Sequence, residues 1–300
     1  MAANSAARLI LRELLQTIRA SEEGIKADTD IEFLHEYRVA VRRTRSALSQ
    51  IRRVFPPEQI RYYRQEFGNL GRRTNELRTL DVFLSMELDY RGRLPVDLSD
   101  DISPLFELLN LRRSEALAKV VAELESEWYG RFMSEWERFV HQPIGQNHPR
   151  NAREPIIKLA RKRIRRQYQA ILERGALTLH HPDDDLLHAL RIECKKLRYL
   201  LEFFAELFRP EETIPPLKQL KRLQENLGAV SDLGDQRDYL YSIAEVLDME
   251  RAQTRRTLLA IGILIETVDR EQQAMRADFA KSFKRFSAPR HQQQFRNMLK

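Results

Sequence analysis

One cysteine in 300 residues, Cys194, leaves no partner for an internal disulfide and excludes a Cys-rich zinc or iron–sulfur site. Glycine and proline are scarce as well, at 10 and 12, which disfavours a turn-rich sandwich or propeller and favours long helices. The longest apolar run, Leu258 to Ile265, falls far short of the roughly 20 residues of a membrane span. No secretory leader is read in Met-Ala-Ala-Asn-Ser, which runs directly into Arg8 and Arg12. These absences predict a cytoplasmic chain with no membrane partner, long enough to close its core without metal or cofactor.

Arginine is what the chain has in excess. Of 51 basic residues 11 are lysine, so 40 are arginine, against 44 acidic residues and a net charge of +7. Arginine presents a planar fork of donors matched to phosphate or carboxylate oxygens and keeps its charge at any relevant pH. Composition alone leaves two readings open: a polyanionic partner, or a helical surface laced with i,i+4 ion pairs.

The sequence resembles itself at a separation of 153 residues, where Phe33 to Arg45 meets Leu186 to Arg198. Both copies read H-x-x-R-x-x-x-[RK]-[RK]-x-R. At the same ungapped separation Leu48 meets Leu201, Phe55 meets Phe208, Leu70 meets Leu223 and Leu80 meets Leu233. The expectation is an all-α protein of two duplicated four-helix bundles, residues 1–140 and 154–300, joined by a linker at 141–153 that holds Pro143, Gly145 and Pro149. Periodicity and breakers predict helices near 5–27, 31–54, 58–88 and 103–140, then 155–178, 183–208, 214–227 and an interrupted 231–286. Apolar stripes include Leu9, Ile10, Leu14 and Ile18, and Leu217, Leu220, Leu223 and Leu227.

On a helix, His35, Arg38, Arg42 and Arg45 fall within roughly 80° of one another. Tyr37, Val41, Thr44, Leu48 and Phe55 lie opposite, as a core face would. His188, Arg191, Lys195 and Arg198 repeat the stripe over Leu190, Cys194, Leu197 and Leu201, with Arg43 and Lys196 at its edges. Four like charges on one face cost an isolated helix a few tenths of a kcal/mol per i,i+4 pair. A helix built for solubility interleaves glutamate instead, as 103–140 does. Between residues 33 and 56 six arginines face Glu36 alone. Arg61, Arg64 and Arg72, Lys158, Arg161 and Arg165, Lys218, Lys221 and Arg222, and Arg8 and Arg12 are further candidates for the same surface, each individually weaker. The bland alternative pairs the stripe with acidic neighbours such as Glu66 and Asp81.

These motifs resemble the CHAD domain, the conserved-histidine α-helical domain. His35 to Arg45 is similar to its first signature. Leu187-His-Ala-Leu-Arg-Ile-Glu-Cys-Lys-Lys-Leu-Arg-Tyr-Leu-Leu-Glu-Phe-Phe is similar to its second, and Lys221 to Leu233 to its L-Q-x-x-L-G-x-x-x-D segment. Leu77 to Val82 resembles its R-D-L-D-V, with Thr79 in place of the first Asp. The resemblance implies two four-helix bundles about a pseudo-twofold, with the basic faces lining a groove or pore that binds inorganic polyphosphate. It also implies association with polyphosphate granules and no catalytic activity. Carried over residue by residue, the binding role falls on His35, Arg38, Arg42, Arg43, Arg45, His188, Arg191, Lys195, Lys196, Arg198 and Tyr199. The E-x-E-x-K signature of a triphosphatase tunnel domain is not found, so the binding domain alone is expected.

Two rival functions use the same residues. Nucleic-acid binding draws on the same charge, but neither stripe has the spaced aromatics of a stacking platform. A metal-dependent phosphate-processing enzyme would use His35 and His188, yet no H-x-x-x-H or close carboxylate cluster completes a metal site. His180-His181 reads as surface polarity, and Trp128 and Trp136 as packing.

Overall fold

The computed structural model describes residues 1–142, 149–180, 183–247 and 252–300. Pro143 and Gly145 of the expected linker, and His181, lie outside the described residues. Described residues form helices and turns with no strand, save one isolated bridge between Ala2 and Pro155. Among the described residues no helix is long and apolar enough to cross a membrane.

The helices are α1 (Ala3–Lys26), α2 (Ile31–Gln50), α3 (Pro57–Arg73), α4 (Asn75–Ser85), α5 (Glu87–Arg93), α6 (Ser103–Leu124), α7 (Glu127–His141), α8 (Ile156–His180), α9 (Asp184–Phe203), α10 (Pro210–Ala244), α11 (Ala252–Phe286) and α12 (Pro289–Met298). Local chemistry sets the starts. Asp30 caps α2 by accepting from the Glu32 amide at 2.8 Å, and Asp183 accepts from the Leu186 amide at 2.7 Å before α9. Proline at the first helical position opens α3, α10 and α12, where its missing N–H costs nothing.

Expected boundaries are corrected in three places along the chain. The segment 58–88 is broken at Thr74, whose buried hydroxyl donates back to the Leu70 carbonyl at 2.9 Å, and again at Met86. The segment 103–140 breaks where Ser126 turns its hydroxyl onto the Tyr129 amide at 3.1 Å to cap α7. Conversely, α10 runs unbroken through Gly228 and Ser231, where a break was expected.

The chain divides into two compact units. One comprises Met1–Val82, Arg112–Arg163 and Glu202–Leu207, the other Phe83–Leu111, Ile164–Leu201 and Phe208–Lys300, so units and sequence halves divide the chain differently. In the first, α1 packs on α2 and α7, and α2 packs on α3. Its core is an aromatic cluster in which Tyr63, Phe67, Phe132, Trp136 and Phe139 meet ring to ring at 4.7–6.2 Å. In the second, α10 packs on α11 and α12, and Tyr168 stacks on Phe295 at 3.9 Å. Along α1, Leu14 and Ile18 are buried as expected and Leu11 and Leu15 are buried with them, while Leu9 faces out.

Candidate functional site

Helix α2 buries Leu34, Tyr37, Val41, Thr44 and Leu48. That leaves the basic stripe on the opposite side. There Arg38, Arg42 and Arg45 join Val41, Gly68, Gly71, Arg72 and Asn75 around an open pocket of about 380 Å³. The glycines give α3 a bare backbone at this face. An added Cβ at Gly68 would stand 3.6 Å from the Arg45 guanidinium, and one at Gly71 would enter open space.

Arg38 is bound firmly into the helix pair. It donates to the Gly71 carbonyl at 2.8 Å, the Thr74 hydroxyl at 2.7 Å and the Asn75 carboxamide oxygen at 2.9 Å, all neutral acceptors. Arg72 reaches Asn69. Arg38, Arg45 and Arg72 therefore have no carboxylate partner among the described residues. Burial, then Arg42 and Arg78, lower the Arg38 pKa to about 10, so it stays charged at neutral pH. Arg45 is lowered by burial and then by Arg64 and Arg72. His35 is half-buried beside them and held below the ordinary histidine range, first by burial and then by Arg78, against which Glu32 and Glu36 work. Like charge is concentrated here, with no acidic residue in the pocket lining, and an anion is what such a surface accommodates.

The second stripe, on α9, is built on the same plan with different charge. Arg191 donates to the Ser231 hydroxyl at 3.1 Å and to the Asp232 carboxylate at 2.7 Å. Its side chain is 16% exposed and that of Asp232 61%, so the carboxylate is the more exposed partner of the pair. Exposed His188 shares a pocket of about 200 Å³ with Asp184, Asp185, Asp235, Arg237 and Asp238. The Asp235 carboxyl is pushed up by burial and by Asp232, against Arg191 and His188. Lys195 and Arg198 are half-buried further along α9.

Other predicted residues are placed elsewhere. Arg43 pairs with Glu202 at 3.6 Å and lies over the Phe203 ring at 5.4 Å, in an apolar cleft away from the α2 pocket. Lys196 pairs with Glu193 at 2.7 Å. Tyr199 is buried with Arg198 5.5 Å from its ring centre. Arg8 is taken up by packing: it donates to the Phe139 carbonyl and to Asn4, and its guanidinium lies over the Phe55 and Phe139 rings. Arg12 reaches the Arg8 carbonyl at 3.3 Å, and Arg165 the Leu299 carbonyl at 3.0 Å. Arg161 is half-buried, while Lys218, Lys221 and Arg222 are exposed on α10. Asp81 does not pair with the stripe; buried, it accepts from Arg113 at 2.8 Å, which also holds Asp28. No group of histidines and acids suited to a metal ion occurs among the described residues.

Sequence reasoning missed Thr74, Asn75 and Ser231 as acceptors and Arg78 as a neighbour of His35. A signal was present: Asn69-Leu70-Gly71-x-x-Thr74-Asn75 parallels Asn226-Leu227-Gly228-x-x-Ser231-Asp232 at a separation of 157. The ungapped match of Leu70 with Leu223 and Leu80 with Leu233 was four residues out of step. Since Pro57 and Pro210 both open their helices, α10 carries about one extra turn before its clamp residues.

With this geometry in place, the profile of the CHAD domain matches residues 9–241. The crystal structure of the CHAD domain from the plant Ricinus communis superposes with a TM-score of 0.73 at 29% identity, covering 96% of this chain and 92% of that one. PptA from Streptomyces chartreusis gives 0.68 at 16% identity, covering 94% and 99%, and so shares the fold. Comparison with curated proteins gives no match.

Proposed function

For a chain that belongs to the CHAD domain family, we propose a binding function and no catalysis: the pocket of α2 and α3 takes phosphates of an inorganic polyphosphate chain. One observation carries this reading. Arg38, Arg45 and Arg72 converge on one pocket with no carboxylate partner among the described residues. Each guanidinium–phosphate hydrogen bond is about twice as strong as a neutral one. A linear polyanion can engage several at once, so its length adds affinity through multivalency.

The α9 stripe supplies a second set of cations to the same ligand class, and exposed Lys218, Lys221 and Arg222 add to the charge of α10. Internal duplication into two four-helix bundles belongs to this reading. It is supported by the matched clamps, Arg38 on Thr74 and Asn75 and Arg191 on Ser231 and Asp232. The cellular place of such a protein is on polyphosphate stores in the cytoplasm.

Calorimetric titration with long-chain polyphosphate, with duplex DNA as competitor, tests the proposal. Binding that persists in excess DNA supports it. Heat that DNA abolishes would assign the stripes to nucleic acid, and phosphate release in the presence of Mg²⁺ or Mn²⁺ would overturn the non-catalytic reading.

A further inference from the structure

The two motif arginines hold equivalent positions but end on different groups. Arg38 meets the amide of Asn75, whereas Arg191 meets the carboxylate of Asp232. The two side chains have the same shape and offer the same acceptor oxygen, so the difference is one negative charge. Asp235 on α10 is a further carboxyl within electrostatic reach of Arg191 and Asp232, whereas Asp184 pairs with Arg276 and Asp238 with Arg237. Around Arg38 the pocket lining contains no acidic residue.

Resting on the polyphosphate reading, we propose that Asp232 is an internal competitor for Arg191, so that the α2 copy is the primary anion site and the α9 copy a weaker one. The carboxylate holds the guanidinium at 2.7 Å and is the more exposed partner, 61% against 16% for the Arg191 side chain, so a phosphate arriving from solvent competes with it for Arg191. Asn75 makes no such claim on Arg38, since an amide neither repels the incoming anion nor neutralises the cation. The pair Asn75 and Asp232 thus ranks the two sites. An anion of high charge density, with several oxygens to offer in exchange, opens the second site more readily than a single phosphate does.

The test is a reciprocal exchange in the full chain, titrated calorimetrically with long-chain polyphosphate: Asp232→Asn, Asn75→Asp and the double variant. Asp232→Asn is expected to tighten binding by about two- to fivefold, the scale of a partly exposed charge pair. Asn75→Asp is expected to weaken it by a similar factor. Opposite signs separate the proposal from a folding defect, which would weaken both variants; melting curves of both provide the control. Wild-type binding with Asp232→Asn unchanged or weaker overturns the competitor role and leaves the polyphosphate reading intact. No binding by wild type or by Asp232→Asn overturns both.

Discussion

The guanidinium of Arg38 donates to the hydroxyl of Thr74 at 2.7 Å, at the break between α3 and α4. Thr74 is buried, and the same guanidinium also holds the Gly71 carbonyl. The charge at the centre of the stripe therefore joins two helices as well as facing the pocket. Arg38→Ala is expected to lower unfolding free energy by about 1–3 kcal/mol, because it leaves partly buried acceptors unpaired. Arg45→Ala removes a charge crowded by Arg64 and Arg72 and leaves stability unchanged or slightly higher. Urea denaturation of the two variants checks the contrast.

His35 gives a pH prediction. Its folded pKa lies below the ordinary histidine value, through burial first and Arg78 next. The native state thus binds fewer protons than the unfolded one. The contribution to stability is fully present above the unfolded pKa, about 6.5, and is lost as pH falls through the folded value. A phosphate bound beside His35 would favour the imidazolium, so polyphosphate binding is expected to take up a proton and to be tighter at pH 6 than at pH 8. Titration in buffers of different ionisation enthalpy measures that uptake, and in His35→Gln the uptake at this position disappears.

Two glycines predict opposite effects on stability. A Cβ at Gly175 in α8 would collide with the ring of buried Phe283, so Gly175→Ala is expected to cost about 1–3 kcal/mol through overpacking. A Cβ at Gly71 meets nothing, so Gly71→Ala gains about 0.5–1 kcal/mol of helix stability. Its methyl group narrows the pocket floor, so polyphosphate affinity falls while the melting temperature rises.

Salt dependence follows from the clustering of arginines about the α2 pocket. The logarithm of affinity is expected to fall steeply and linearly with the logarithm of salt, as counterion release does on nucleic acids. Arg42→Ala and Arg45→Ala should each make the slope shallower. A slope unchanged in both variants would place the anion elsewhere.

Much of this arrangement could be read in the sequence because it depends on helical period alone. The faces opposite the stripes, Tyr37, Val41, Thr44 and Leu48 in α2 and Leu190, Cys194, Leu197 and Leu201 in α9, are buried as expected. The breaks at Thr74 and Ser126 escaped because they use hydroxyl-to-backbone bonds and no Gly or Pro. The break expected between 227 and 231 is not made by α10: the glycine there, Gly228, costs a helix only about 1 kcal/mol, and Leu227 and Val230 beside it are buried. Arg8 looked like a ligand contact because nothing local announces the Phe55 and Phe139 rings beneath it. The acceptors of Arg38 and Arg191 stayed hidden behind the extra turn of α10. That shift removed Thr74 and Ser231 from the ungapped match.

The most direct measurement is a calorimetric titration of wild type and of Arg42→Glu/Arg45→Glu with long-chain polyphosphate, in the presence of excess duplex DNA. Arg45 has no hydrogen-bonded or carboxylate partner among the described residues, and both arginines are exposed, so the variant is expected to fold. Wild type is expected to bind in the presence of DNA, and the folded double variant to lose about tenfold or more in affinity. Equal affinity of the two proteins would contradict this expectation and remove the α2 pocket as the anion site.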